Sequence, residues 1–381
     1  MKKIVGFLLA AGVVVSTLGS CMRNDDEPEM AVRPIARLYV SIGNYQTNAS
    51  EDPIDNVLLI DPADTTDMEV VLSHNSGALR GGGGIFFDPF KSGIFQAGYG
   101  NQDTTIRVMT VGPLGIMSNS GEIQYSGLNG MRGLAYNYRL GFEMLYVANN
   151  SSAVNGRTTI YGYKRPYNRR GYTRPDQVLR LDPSMRPWGM VLWKDSLLVA
   201  NSSSTNGGVS LYGGLSKVDS LVEDFQAITT VHIEGATAIR GIAFVDSLDV
   251  LVAADYGTGT PENPVMDGRI YIIEGIKSKL QQGGTITVAP TRTIRGALTG
   301  LTSPFDVAID PRPRLKDGER TIFVADYDYE NKGRIARFRY SADGNVAPEA
   351  SVNLDTLGMP RQPFGMFLDV RGIPGAKTAT P

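Results

Sequence analysis

One short phrase recurs along this chain, and nothing else in its 381 residues limits the fold so strongly. Its first part is an apolar run opening on Gly or Asp: "GIFFD" at Gly84, "GLAYN" at Gly133, "GMVLW" at Gly189, "GIAFV" at Gly241, "DVAID" at Asp306 and "GMFLD" at Gly365. Successive openings lie 49, 56, 52, 65 and 59 residues apart. A second part follows each opening but the last: "IFQAGY", "LYVANN", "LLVANS", "VLVAAD" and "IFVADY". After a Gly- and Asn-rich gap comes a third: "TIRVM", "TIYGY", "VSLYG", "RIYII" and "RIARF".

Apolar, aromatic and β-branched runs bounded by Gly, Asn and Asp are strand signals. Repeats of about 50 residues, each three or four strands long, predict the blades of a β-propeller. The chain ends fix the count. Before Gly84 the sequence already supplies a second part, "LYVSIGN" from Leu38, and a third, "NVLLID" from Asn56; after "GMFLDV" it supplies no further strand. The expectation is therefore an all-β, six-bladed propeller spanning 36–371, closed by pairing of the C-terminal strand with the N-terminal blade, with a tail at 372–381. Closure removes the free edges that an open stack of sheets would expose.

Ser303 to Phe338, "SPFDVAIDPRPRLKDGERTIFVADYDYENKGRIARF", resembles an NHL repeat, and "RPWGMVLWKDSLLVAN" is a looser copy. The resemblance implies the propeller fold and leaves function open. Blade two departs from it, with "IFQAGYG" where the repeat has Val-Ala-Asp.

At the N-terminus, Lys2 and Lys3 precede an apolar stretch from Ile4 to Val15, and Leu18-Gly19-Ser20-Cys21 follows. That arrangement is a secretion signal. The four last residues resemble the lipobox of bacterial lipoproteins, which implies a signal peptide at 1–20, a lipid (palmitate-type acyl chains) on Cys21 and an outer-membrane anchor, at the cell surface or on the periplasmic face. Twelve apolar residues are too few to span a hydrocarbon core of ~30 Å. Residues 21–35, including "MRNDDEPEM", read as a flexible tether. Cys21 is the one cysteine, so the domain relies on its core and not on disulfides. With 37 basic and 39 acidic residues, the net charge of -2 lacks the basic field that nucleic acid requires.

In an antiparallel blade, the start of the innermost strand and the end of the second lie on one rim. That geometry gathers Arg132, Trp188, Arg240, Phe305 and Phe364 with Tyr256 and Tyr327, and Arg80 ahead of "GGGG" adds a cation. Arginine forks suit carboxylates, and aromatic faces suit sugar rings. These eight residues are candidates for binding a carbohydrate, an acidic small molecule or a protein partner; their other reading is packing between blades. Asn149, Asn201, Asp255 and Asp326, at second-strand ends, either start turns or hold a Ca²⁺ near the axis. The second reading leads to a metal-dependent hydrolase similar in architecture to gluconolactonase-class propellers, although no matching glutamate stands near the first blade. Only two histidines occur, His74 and His232, which disfavours His-based catalysis. "RPYNRRGYTRP", Arg165 to Pro175, is a basic and aromatic patch on the outer part of blade three, either a solvated face or a docking site for an acidic glycan.

Overall fold

The computed structural model describes residues 35–371 except 44–53, 66, 140, 152–155, 204–206, 261–262, 264, 329–331 and 355–361. Cys21, the tether up to residue 34 and the tail 372–381 lie outside the described residues.

Six sheets, antiparallel except at their outer edges, stand around one axis. Blade one joins the last strand, Gln362–Asp369, to Arg37–Gly43, Val57–Ile60 and Val70–His74. Leu38 faces Leu368 and Ser41 faces Gly365 in the closing pair. The remaining blades follow in chain order, their inner strands being Gly82–Asp88, Met131–Asn137, Pro187–Trp193, Ile239–Val245 and Pro304–Asp310.

Strand alternation explains why second strands such as Val250–Asp255 are buried at every position. Successive residues face opposite sides of a sheet, and here both sides meet another blade. In Arg37–Gly43, Leu38, Val40 and Ile42 pack towards Phe323 and Ala325 of blade six. Tyr39 points the other way and stacks on Phe87 of blade two, ring centres 5.1 Å apart. One apolar cluster fills each of the six junctions.

Two backbone devices go beyond the sequence reading. First, every inner strand carries a β-bulge against its second strand at the same place, for example between Met131 and Leu134 and between Ile239 and Ile242. A bulge re-aims side chains, and here it turns the residue before each opening Gly or Asp towards the axis. Second, the connection between the third and fourth strands of one blade reaches back to the fourth strand of the blade before it. Gly171–Tyr172 pairs in parallel with Ile123–Gln124, Leu221–Val222 with Val178–Leu179, and Gly284–Val288 with Thr229–Ile233. Gly344 makes a single parallel bridge to Ile294. "RPYNRRGYTRP" is thus a clasp from blade three onto blade two.

Inner strands converge until only glycine fits. A Cβ on Gly84 would lie 2.0 Å from the Arg132 carbonyl oxygen, and one on Gly133 would lie 2.3 Å from that of Trp188. Gly189, Gly241 and Gly365 continue the ring, and Asp306 holds the sixth place.

Candidate functional site: the cation–aromatic mouth

Immediately above the glycine ring, the bulged positions bring Arg132, Trp188, Arg240, Phe305 and Phe364 together, one from each of five blades. Blade two has Gly83 at this level and supplies Tyr99 from the end of its second strand instead. Trp188 stacks on Phe364 at 5.4 Å, and Phe305 lies 5.3 Å from Phe364. Tyr99 meets Phe364 edge-on, as Tyr256 meets Phe305. Tyr327 belongs to the same apolar group. The Arg132 guanidinium sits 4.6 Å from the Trp188 ring and 5.4 Å from Phe364. That of Arg240 sits 3.2 Å from Tyr256, 4.3 Å from Trp188 and 4.4 Å from Phe305. Arg80 is exposed at the margin.

Seven of the eight residues gathered from sequence therefore meet in one contiguous mouth. They pack on one another, so among the described residues the mouth is a filled surface. Two open clefts formed by the described residues, about 490 and 450 Å³, lie elsewhere, along Arg269 and Arg295. Tyr99 also belongs to the group, and its signal was available: it ends a second strand, as Tyr256 does.

Charge is unevenly met here. Nη1 of Arg132 donates to the Met131 carbonyl at 3.0 Å, while its buried Nε finds no acceptor. No carboxylate pairs with it among the described residues. Burial lowers its pKa, with the Tyr99 oxygen opposing. Burial raises the pKa of Tyr99, and Arg132, Arg240 and Arg80 restrain the rise. A cation held this way is attractive to an incoming anion, because a buried charge is costly until paired.

The oxygen-bearing side chains at the second-strand ends are turned to the backbone. Asp255 is fully buried and accepts from the Thr237 and Ala238 amides, the Thr237 hydroxyl and the Gly257 amide, at 2.7–3.2 Å. Asp326 accepts from the Thr302 and Ser303 amides and from Nε of Arg334 at 3.2 Å; burial nonetheless raises its pKa. Asn201 accepts from the Arg186 and Ser203 amides. Asn149 donates to Asn129 at 3.3 Å and keeps a buried Oδ1 without a partner. Each residue ties down the loop that leads into its blade's inner strand, which is the turn reading of this position. Among the described residues no group of three or more His, Cys, Asp or Glu side chains is placed to hold a metal ion.

Asp306 is the one charged group in the glycine ring. It accepts from the Met366 amide at 2.7 Å and the Val307 amide at 2.9 Å, fastening blade six to the closing strand. Burial pushes its pKa up to about 7, against the pull of those two amides. An unfolded aspartate titrates near 4, so between about pH 4 and 7 the folded chain keeps a proton that the unfolded chain releases. Stability from this group is full below pH 4 and declines as pH rises through 7. The expected result is that Asp306→Asn flattens the fall in unfolding free energy between pH 4.5 and pH 7.5, by on the order of a few kcal/mol relative to the parent chain. Equal pH slopes in urea titrations of the two proteins would exclude it.

The sequence matches no family model and no curated protein. Among solved structures, a chain from the nidogen/laminin complex is 12% identical, with a TM-score of 0.51 over 88% of this chain and 98% of that one. A candidate 6-phosphogluconolactonase from Bacteroides fragilis NCTC 9343 is 9% identical, with a TM-score of 0.51 over 90% of this chain and all of that one. At such identities the likeness extends to the whole fold and stops there: this chain is a six-bladed β-propeller.

Proposed function

We propose that the protein is a lipid-anchored envelope protein whose axial mouth binds a carboxylate-bearing ligand, such as a sugar acid or the acidic side chain of a partner. One observation carries this reading: Arg132, stacked on Trp188 and Phe364, makes a single hydrogen bond and has no carboxylate partner among the described residues. A carboxylate settling beside it would form charge-assisted hydrogen bonds and alter the surroundings of the Trp188 ring on which the guanidinium lies. The anchor reading is supported by the resemblance of Leu18–Cys21 to a lipobox; a propeller anchored there would meet its partners in the envelope.

Only two tryptophans occur, Trp188 and Trp193, so a Trp193→Phe background makes Trp188 the sole indole reporter. Titration with glucuronate or galacturonate is expected to change Trp188 emission, and glucose is not. Arg132→Met should weaken the response roughly 10- to 100-fold, the range for a hydrogen bond to a charged group, while the melting temperature holds or rises because a buried cation is gone. Equal responses to glucose and glucuronate, or an Arg132→Met chain that binds as well as its parent, would refute the acidic-ligand reading.

A further inference from the structure

We infer that the face opposite the mouth, beneath blades two and three, seats on a lipid surface bearing anionic headgroups. The inference rests on the anchor at Cys21 but concerns a different part of the molecule from the mouth.

The turns joining inner to second strands define this face. In blade two the turn carries Phe90-Lys91, and in blade three Tyr138-Arg139. Phe90 is 60% exposed and Tyr138 46%. They touch each other in the open, ring centres 4.5 Å apart. On blade two's third-to-fourth turn, Leu114 and Ile116 are also exposed, at 73% and 57%. Around them stand Lys91, Arg139, Lys164 and Arg165, all on the surface; of the nearby carboxylates, Glu143 pairs with Lys91 at 3.0 Å, Asp176 pairs with Arg169 and accepts from the Lys164 amide, and Asp88 is buried and accepts from the Phe90 and Lys91 amides. Lys164, Arg139 and Arg165 form no ion pair among the described residues. Two cations on the blade five and six turns of this face are matched, Lys277 with Asp246 and Arg314 with Asp317. Exposed aromatic rings flanked by unmatched cations suit the headgroup layer of a bilayer, where rings sit at the interface and each Lys or Arg gains about 1 kcal/mol from anionic lipid.

The chain enters on this same face. The Ile35 amide donates to the Arg371 carbonyl at 3.1 Å, and Arg371 donates to Ser92 Oγ at 2.5 Å, in the turn that bears Phe90. Residues 22–34, fully extended, reach at most roughly 45 Å. Starting beside Phe90, they allow this face to meet the bilayer directly, while the mouth, a strand length away, points outward.

The test uses the full lipidated chain in vesicles. Lipid attachment consumes the Cys21 thiol, so Tyr138→Cys, or Leu79→Cys on the mouth side, provides one labelling site for an environment-sensitive NBD dye. Intact mass first reports whether Cys21 is acylated; an unmodified Cys21 defeats the anchor reading and is seen separately. With acylation present, the dye at 138 should shift to the blue in vesicles containing phosphatidylglycerol and not in phosphatidylcholine alone, while the dye at 79 stays water-like in both. Adding Arg139→Gln and Lys164→Gln should lower the ratio of seated to free protein roughly 30-fold, two cations at a little over fivefold each, and abolish the shift. A water-like dye at 138 in every vesicle, a shift at 79, or a response to a soluble acidic polysaccharide in place of vesicles would overturn the inference.

Discussion

A chain ended after residue 361 is expected not to reach the folded state. What it loses is the inner strand of blade one, Gln362–Asp369, which pairs with Arg37–Gly43 along its whole length. Phe364 and Met366 on that strand are 5% and 4% exposed, and Phe367 and Leu368 pack into the flanking junctions. Fully burying such a side chain stabilises by about 1.5–3 kcal/mol, so Phe364 and Met366 alone amount to roughly 3–6 kcal/mol, a large share of the stability of a typical domain. The loss also reaches the mouth, because Phe364 is the ring that Trp188, Tyr99 and Phe305 share. Circular dichroism should show no cooperative melt for the shortened chain, and a peptide of residues 362–371 added in trans should restore one in part. A sharp melt within a few degrees of the full chain, without the peptide, would contradict the closure.

Gly133→Val is expected to destabilise by at least about 3–4 kcal/mol and to lower the melting temperature by about 10 °C. Overpacking in an ordinary core is relieved when side chains move. Here the first atoms met are backbone: the Trp188 carbonyl oxygen at 2.3 Å, Gly189 Cα at 3.0 Å and the Met190 amide nitrogen at 3.0 Å. Those atoms belong to a strand held by blade four on one side and pressed by Gly241 on the other, so one blade cannot retreat unless the ring widens. Gly112→Ala provides the comparison, since a Cβ there meets nothing nearer than 3.6 Å; it should stay within about 1 kcal/mol of the parent. Comparable melting temperatures for the two variants would show that the axis is looser than these distances state.

The ring and its closure were readable from sequence because each inner strand declares itself with an apolar run after Gly or Asp, and because the split blade leaves an orphan second part at Leu38 and an orphan opening at Gly365. Bulges at Arg132 or Arg240 were not readable: an extra backbone residue leaves no hydrophobic signature. Nor were the clasps, where Gly171–Tyr172 and Leu221–Val222 contribute two residues each through main-chain bonds that any sequence can make. At the mouth, the sequence gathered Arg132, Trp188, Arg240, Phe305 and Phe364 by position. Whether they would enclose a void or fill it depends on the distance between blades, which no residue encodes singly. Asp255 and Asp326 had two readings because a carboxylate's partners in a turn are amides, and amides are present everywhere. Asp306 was legible as a departure from glycine but not as a fastener of the closing strand, since its partner amide, Met366, lies 60 residues away.

The clasps carry a consequence for how such a chain can lengthen or shorten over evolution. Copying one stretch from an inner strand to the end of its fourth would also copy a segment whose place is on the preceding neighbour. A seventh unit would therefore arrive already bound to the outer edge of the sixth, and deleting a unit would strip a strand from the blade left behind. Inheritance by whole repeats and the integrity of individual sheets are out of step by one place, which favours divergence within a fixed count over gain or loss of units.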